Sequence, residues 1–326
     1  MEIQIFSYNV LAPDFGSDVY FKCLPEFLKF ENRIKGICDK IEKAIQTNSI
    51  ISLQEVDERI RDSLKELFNN GKYYVKWDGY FSNTNTIGPK PQGILIAIPM
   101  TMFDILDEVS ITMRDEIIRP NTVSNTDLPH PMQEHINKAR GRDLYQMAKK
   151  NENKLIGVLI KHKPTGFTFW AFNYHMPCIW WWLNVMVLHI EVVKKKMLEI
   201  AVNHPFIFCS DINAKKGFPD RIFLENGTID SSIYPYNGWM PHKNSQYCLK
   251  DSMVNAGTPT TRCCPTGSSS DLINGEFIAN IDGIFSYGDI GVLKTHIDEY
   301  SISEPCPNSH EPSDHVPLYG TLILNL

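Results

Sequence analysis

Short apolar runs, each closed by a polar residue, recur from one end of the chain to the other. Residues 3–10 alternate and are rich in β-formers, which predicts an opening strand. From residue 26 to 46, Phe27, Phe30, Ile34, Ile37, Ile41 and Ile45 recur at three- and four-residue steps. That spacing predicts a helix with one buried stripe. Residues 50–53 follow as a short buried strand ending at Gln54-Glu55. Residues 93–98, 155–160, 167–174, 205–209, 281–285 and 316–324 are further strands. A long apolar helix is expected over 183–201, with Lys194, Lys195 and Lys196 near its negative C-terminal end.

Residues 114–154 are polar and rich in Pro, Asn and Arg, and 215–280 are rich in loop formers. Both spans read as insertions or long loops. No Pro/Gly/Ser linker, repeat or low-complexity tract divides the chain, so residues 1–326 are expected to form a single catalytic domain. Strands interleaved with helices give an α/β class, and alternation within the strands implies sheets with one covered face each.

Composition changes this picture little: 43% of the 326 residues are hydrophobic and 21% charged, as in ordinary globular proteins. The net charge of −6 and a pI near 5.9 speak against a protein that coats nucleic acid nonspecifically. A local basic groove stays open, and an acidic total is also what a cation-binding site produces. The start, MEIQIFSYNV, lacks the basic and apolar regions of a signal peptide. The longest apolar stretch, 179–193, is broken by Asn184, His189 and Glu191, and a membrane span needs roughly 20 apolar residues. Eight Cys without CxxC spacing suggest reduced thiols in a cytoplasmic protein that binds no membrane. Cys263 and Cys264 are adjacent and could bind metal or pair, but the reduced form is expected. The sequon at Asn226 carries no meaning without secretion.

The informative positions are polar residues that follow at once on apolar strands. Asn9 ends SYN, Glu55 follows ISLQ, and His175 ends FWAFNYH. Asp211 and Asn213 end FIFCSDIN, on one face if the backbone stays extended. Asp282 sits in ANIDGIF and Asp314-His315 in EPSDHVPL. Singly, each reads more readily as a turn residue, a helix cap or solvated surface than as a catalyst. Their value is joint.

Together YNVLAP, LQEVD, NYHMP, SDIN, IDGIF and PSDHVPL resemble the endonuclease/exonuclease/phosphatase superfamily over nearly the whole chain. Within it, YNVLA and IDGIFSYGDIGVL are most similar to the carbon-catabolite-repression deadenylase, nocturnin, angel and 2′-phosphodiesterase group. The resemblance implies a four-layer sandwich of two β-sheets flanked by helices, with the site at one edge. It implies Mg2+ as cofactor, with Mn2+ as a substitute, held by Glu55 and Asp314 and supported by Asn9, which would also hold the scissile phosphate. Asp211 would position and deprotonate the attacking water, and Asn213 would donate to a phosphate oxygen. His315, oriented by Asp282, would stabilise charge developing at phosphorus, and His175 would contact the phosphate from the other side. The chain departs from the family at Ser210, Gly283 and Tyr174, where Gly, Tyr and Thr are usual. No catalytic group is lost by these changes, and they bear on the substrate subclass.

The residue types suit that chemistry on physical grounds. A phosphodiester repels its nucleophile, so a hard cation held by carboxylates is needed, and Mg2+ requires only one or two of them. A neutral amide donates without adding repulsive charge, and an Asp–His pair favours the protonated imidazole.

Arg140, Arg142 and Arg262 are candidates for clamping substrate phosphates, although a solvated loop or ordinary turn explains them equally. Residues 257–262 form a loop that could face the substrate. Of Trp180, Trp181 and Trp182, at least two are expected to anchor the following helix rather than stack on a base. The leading expectation is 3′-5′ removal of nucleotides from single-stranded RNA. The alternative is hydrolysis of a small phosphorylated molecule: a dinucleotide, a 2′-linked oligonucleotide or an inositol phosphate. A catalytically silent scaffold is the third reading, and retention of every carboxylate opposes it. The sequence specifies no protein partner.

Overall fold

Two strand–helix–strand units organise the molecule. The computed structural model describes residues 2–68, 71–84, 88–119, 143–179, 182–229, 248–251, 258–267, 272–298 and 302–324. In the first unit, β1 (Glu2–Asn9) leads through α1 (Pro25–Leu28) and α2 (Phe30–Gln46) to β2 (Ile50–Gln54), which lies parallel to β1. There follow α3 (Glu58–Phe68), β3 (Tyr73–Thr84), β4 (Gly88–Pro99), β5 (Phe103–Thr112), α4 (Met113–Glu116), α5 (Leu144–Ala148) and β6 (Lys154–His162). The second unit runs from β7 (Thr168–His175) through α6 (Leu183–Ala201) to β8 (Phe206–Asp211), again parallel. The rest comprises α7 (Pro219–Asn226), β9 (Lys250–Asp251), β10 (Thr261–Cys263), β11 (Phe277–Ala279), β12 (Asp282–Tyr287), β13 (Ile290–Ile297) and β14 (Leu318–Leu324).

Each parallel pair sits inside a six-stranded sheet with antiparallel flanks. The orders are β13-β14-β1-β2-β4-β3 and β5-β6-β7-β8-β12-β9. Side-chain alternation then builds the layers. Ile3 and Ile5 of β1 meet Ile156, Val158, Phe169, Ala171 and Ile207 in a core between the sheets. Phe6, Tyr8 and Val10 point the other way, onto Ile37, Ile41, Ile60 and Leu64 of α2 and α3. On the far side, Trp170, Phe172, Phe206 and Phe208 pack against Val185, Leu188, Met197 and Phe223 of α6 and α7. The result is the expected α/β class, with helices, sheet, sheet and helices in four layers.

Near one edge the inter-sheet core turns polar. The Asn173 amide donates to the Leu53 and Leu95 carbonyls at 2.8 and 2.9 Å and accepts from Gln54 at 2.8 Å. One side chain of the second sheet thus bolts onto two strands of the first.

Several elements differ from expectation. The helix over 26–46 breaks at Lys29, whose ψ of 126° is extended, and α2 buries Arg33, Ile37, Ile41 and Ala44. Phe30, Ile34 and Ile45 lie only partly buried at its margin. Helix α6 has the expected bounds, but its lysines do not serve its own C-terminus, and its last turn holds no basic residue. Lys194 is buried and donates to the Phe223 and Leu224 carbonyls at 3.3 and 3.4 Å, near the end of α7. Lys196 pairs with Glu116 at 2.7 Å and Glu199 at 2.9 Å.

The span 114–154 is not wholly loop: α4 and α5 lie at its ends, with Met113, Ile117, Leu144 and Tyr145 in the core. Likewise 215–280 contributes α7 and β9 to β11. Trp182 is buried, while Trp180 and Trp181 lie outside the described residues. Among the described residues no cysteine forms a disulfide, Cys263 and Cys264 included. Among the described residues no helix is long and apolar enough to cross a membrane.

Candidate active site

Both parallel pairs run out at the same edge, and there the polar strand-end residues meet. Asn9 closes β1, Glu55 follows β2, His175 closes β7 and Asp211 closes β8. Asp282 opens β12 opposite Asp211 in the antiparallel ladder, and His315 bridges to Thr261. A strand end is a rigid mount, since hydrogen bonds and packed apolar residues fix everything behind it.

The backbone departs from extended form at three of these places. Leu11, Glu55 and Asn213 have φ of 57°, 61° and 48°, a region costly for residues with a Cβ. Side chains of the site hold each one. Leu11 N donates to Asn9 Oδ1 at 3.0 Å, Ala12 N to Glu55 Oε2 at 2.8 Å, and Asn213 N to Asp211 Oδ1 at 2.9 Å. Asp211 and Asn213 therefore converge through a turn, not by the strand alternation expected for an extended SDIN segment. Gly93 also matters here: its carbonyl accepts from Val56 N at 2.8 Å, and a Cβ on it would lie 2.7 Å from the Val56 oxygen.

A cavity of about 420 Å³ opens onto Glu55, His175, Asp211, Asn213, Asp314 and His315. Asn9, only 1% exposed, stands behind its wall. The Asn9 amide donates to Glu55 Oε1 at 3.1 Å and Asp211 Oδ2 at 2.9 Å, so it aims two carboxylates and has no N–H left for a phosphate. Asp282 is also buried behind the wall and accepts from Thr260 Oγ1 at 2.6 Å and His315 Nδ1 at 2.8 Å.

His315 Nε2 then faces Asp211 Oδ2 at 3.6 Å and Asp314 Oδ2 at 3.9 Å. Burial alone would lower the His315 pKa, but the charges of Asp282, Asp314 and Asp211 outweigh it and hold it well above the ordinary 6.5. Those charges favour the protonated imidazole. Asp211 is shifted upward, by burial first and by the nearby Asp282 charge, against the pull of His315 and His175. Burial pushes Asp314 up to about 6, with Glu55 and Asp211 adding repulsion.

On the opposite wall, His175 Nε2 lies 3.2 Å from Asn213 Nδ2, 3.5 Å from Asp211 and 3.9 Å from Glu55. Its Nδ1 lies 3.3 Å from the Tyr80 hydroxyl, which accepts from Asn153 at 3.4 Å. Tyr80 and Asn153 stand inside or just before strands, with no strand-end position to mark them in the sequence. Thr260 and Thr261 belong to the loop expected to face the substrate. Thr261 lines the cavity and donates to the Asp314 carbonyl at 2.7 Å, while Thr260 orients Asp282.

Arg262 does not take part in the expected clamp. Arg262 does not line the cavity: Nε donates to Glu276 at 2.8 Å and Nη1 to the Ser303 carbonyl at 2.5 Å, so its fork is spent on its own loops. Arg140 and Arg142 lie outside the described residues. Lys215 is the lysine among the cavity-lining residues, and its ammonium lies 5.0 Å from the Phe277 ring centre. The departures from the family pattern are self-consistent. Ser210 Oγ donates to the Tyr174 carbonyl at 2.7 Å, and the Tyr174 hydroxyl reaches His189 at 3.1 Å, on the face away from the site. Gly283 leaves room for the Phe285 ring, which a Cβ would strike at 2.4 Å.

The donor set fits a hard divalent cation. Glu55 and Asp314 offer carboxylate oxygens to the cavity, and crowding of like charges there is the condition a cation relieves. Asp211, Asp282 and His315 also place ligand atoms within 4.8 Å of one another. Their mutual hydrogen bond, with His315 Nδ1 committed to Asp282, reads better as a relay than as a coordination sphere.

No protein-family model and no curated protein matches the chain. Solved structures do. ANGEL2, described as a 2′,3′-cyclic phosphatase and solved with adenosine-2′,3′-vanadate, superposes with a TM-score of 0.68 at 19% identity. The match covers 100% of this chain and 96% of that one. The human nocturnin catalytic domain gives 0.58 at 17% identity, over 99% and 93% of the two chains. An endonuclease/exonuclease/phosphatase from Bacteroides vulgatus gives 0.59 at 15% identity over the full length of both.

Proposed function

Because the chain has the endonuclease/exonuclease/phosphatase fold, we propose that it is a Mg2+-dependent phosphodiester hydrolase acting on the 3′ end of single-stranded RNA. The observation that carries the reading is the convergence of Asp211, Asn213, His175, His315, Glu55 and Asp314 on one cavity. Three of these are carboxylates, set beside an imidazole held above its ordinary pKa, a composition with no structural need at a sheet edge.

Glu55 and Asp314 would hold the cation, which when bound would supply neutralisation of phosphate oxygens and polarisation of the ester. Asn9 keeps Glu55 and Asp211 aimed at the cavity. Asp211, its pKa raised by burial and its carboxylate held by Asn9 and the Asn213 backbone N–H, accepts the proton of the attacking water. His175, set by Tyr80, and the one Asn213 N–H not given to the Met176 carbonyl at 2.8 Å donate to the non-bridging oxygens. The His315 imidazolium, fixed by Asp282 and Thr260, stabilises the charge that grows as the ester oxygen leaves.

A second reading has its own support. The cavity is about 420 Å³, and Arg262, the described arginine of the expected clamp, is turned away from it and paired with Glu276. A small phosphorylated molecule then becomes the substrate, whether a dinucleotide, a 2′-linked oligonucleotide, an inositol phosphate or a 2′,3′-cyclic phosphate like that of ANGEL2. A panel of these compounds and 5′-labelled RNA, incubated with Mg2+, separates the two. RNA shortened from its 3′ end to mononucleotides, stalling at a hairpin stem, supports the first. Intact RNA with rapid hydrolysis of a small phosphate ester leaves the chemistry standing and removes the nuclease reading.

A further inference from the structure

Arg33 is the charged position on the buried stripe of α2, and it is 2% exposed. Among the described residues no carboxylate lies within ion-pair distance of it. Its guanidinium instead meets backbone oxygens through Nε and Nη2, while the buried Nη1 has no hydrogen-bond partner. Nε donates to the Pro312 carbonyl at 2.6 Å, and Nη2 donates to the Val10 carbonyl at 2.8 Å and to the Leu11 carbonyl. Val10 and Leu11 follow Asn9 directly, and Pro312 precedes Asp314 by two residues. One planar group therefore ties the segment that aims Glu55 and Asp211 to the segment that carries Asp314 and His315.

The same face of α2 grips the second segment elsewhere. Lys40, two turns on, pairs with Glu311 at 3.0 Å. Gly36 lies between them, and a Cβ there would stand 3.2 Å from Pro312 Cγ, so the glycine lets the loop approach the helix. Ser313 Oγ closes the junction on the Asn9 carbonyl at 2.7 Å. A buried arginine without an ion pair is costly, and an apolar residue at this stripe position would pack more cheaply. Through-space pull from Tyr8, Asp314, Glu55 and Asp57 offsets part of that cost. A lysine could not replace the fork, because one ammonium on a flexible stem cannot hold carbonyls of two segments in fixed geometry.

We infer that Arg33 is a positioning residue, which sets the separation of the Asn9–Glu55 side of the site from the Asp314–His315 loop and thereby preforms the cation site. The inference rests on the catalytic reading above. The test uses the full chain with Arg33→Lys and Arg33→Met, beside Ile41→Ala, an apolar change on the same stripe that removes no hydrogen bond to either segment. Circular dichroism and thermal unfolding establish folding, Mn2+ titration followed by electron paramagnetic resonance gives cation affinity, and kcat and KM are measured separately. Both Arg33 variants should fold, bind Mn2+ about tenfold or more weakly, and lose about 10- to 100-fold in kcat, with KM within about threefold. Ile41→Ala should lower the unfolding temperature and leave Mn2+ affinity and kcat unchanged. Folded Arg33 variants with native affinity and kcat overturn the inference, as do losses matched by Ile41→Ala at equal stability. Arg33 variants that are unfolded outright assign the residue to stability and overturn it too. Wild-type protein that neither binds Mn2+ nor hydrolyses a phosphate ester overturns the catalytic reading along with it.

Discussion

Asp211 and His315 carry the chemical step on this account, and their surroundings say how each should fail. Asp211→Asn keeps size and loses the base, and His315→Ala loses the cationic donor. Each should lower kcat by about a hundredfold or more while KM changes little, because both act on the transition state. Steady-state kinetics on folded variants decides this, and a change confined to KM would reverse the roles. The pH profile gives a sharper test. His315 must stay protonated, so activity falls on the alkaline side as it loses its proton, above its ordinary 6.5. Asp282 is the first of the charges that raise it, so Asp282→Asn should move that limb to lower pH. An unmoved limb would assign it to another group.

At this scale the sequence was legible where a polar residue follows directly on an apolar strand. Asn9, Glu55, His175 and Asp211 have that signature, Asp282 opens β12 and Asp314-His315 precede β14, and the fold brings all of them to one edge. Residues that orient others left weaker signs. Tyr80, Thr260 and Ser313 look like ordinary strand or loop positions. Arg33 did leave one, a charge in register with Ile37 and Ile41 on an amphipathic helix. The arginines of the expected clamp show the opposite case, since nothing in a sequence says that Arg262 is already paired with Glu276.

Among the elements, β1 and β2 of one sheet and β7 and β8 of the other must keep their register for the site to exist. Asn173 fixes it, as the polar residue within FWAFNYH. Asn173→Ala leaves the buried Gln54 amide without its acceptor and should destabilise the protein by about 1–3 kcal/mol. Urea unfolding with an unchanged m-value would show it, and a loss below about 0.5 kcal/mol would mean that the bolt carries little. Strands of the inner sheets were readable because both faces are apolar. The edge strands β3 and β5 were not, since Lys76 and Asp78, or Asp104, Asp107 and Glu108, interrupt their alternation at solvent.

The loop before Asp314 supplies a second test at this level. Burial raises Glu311 to about 7, against the pull of Lys40 and its hydrogen bond from Tyr8. The folded state therefore keeps a proton that the unfolded chain has lost above its ordinary 4.5. Stability must then fall as pH rises from about 4.5 to about 7, and stay at the lower level beyond. Glu311→Gln removes that contribution. Its unfolding temperature, followed over this range, should fall less steeply with rising pH than that of wild type, and parallel curves would refute the assignment.

For the whole molecule, a net charge of −6 and a cavity with Lys215 as its lining lysine limit how strongly a polyanion can be held. If RNA binds, the slope of log affinity against log salt should be shallow, about −1 to −3. A steep slope would reveal a basic surface beyond the cavity. The central claim, that this edge of the sandwich is a cation-assisted phosphoester hydrolase site, has one direct measurement. Turnover of the best substrate from the panel is followed while Mg2+ is titrated into metal-free wild type and Glu55→Ala. Wild type should rise from no turnover to saturation and return to none with excess chelator, and folded Glu55→Ala should stay inactive across the same range. Undiminished hydrolysis in chelator, or by Glu55→Ala, would contradict the account.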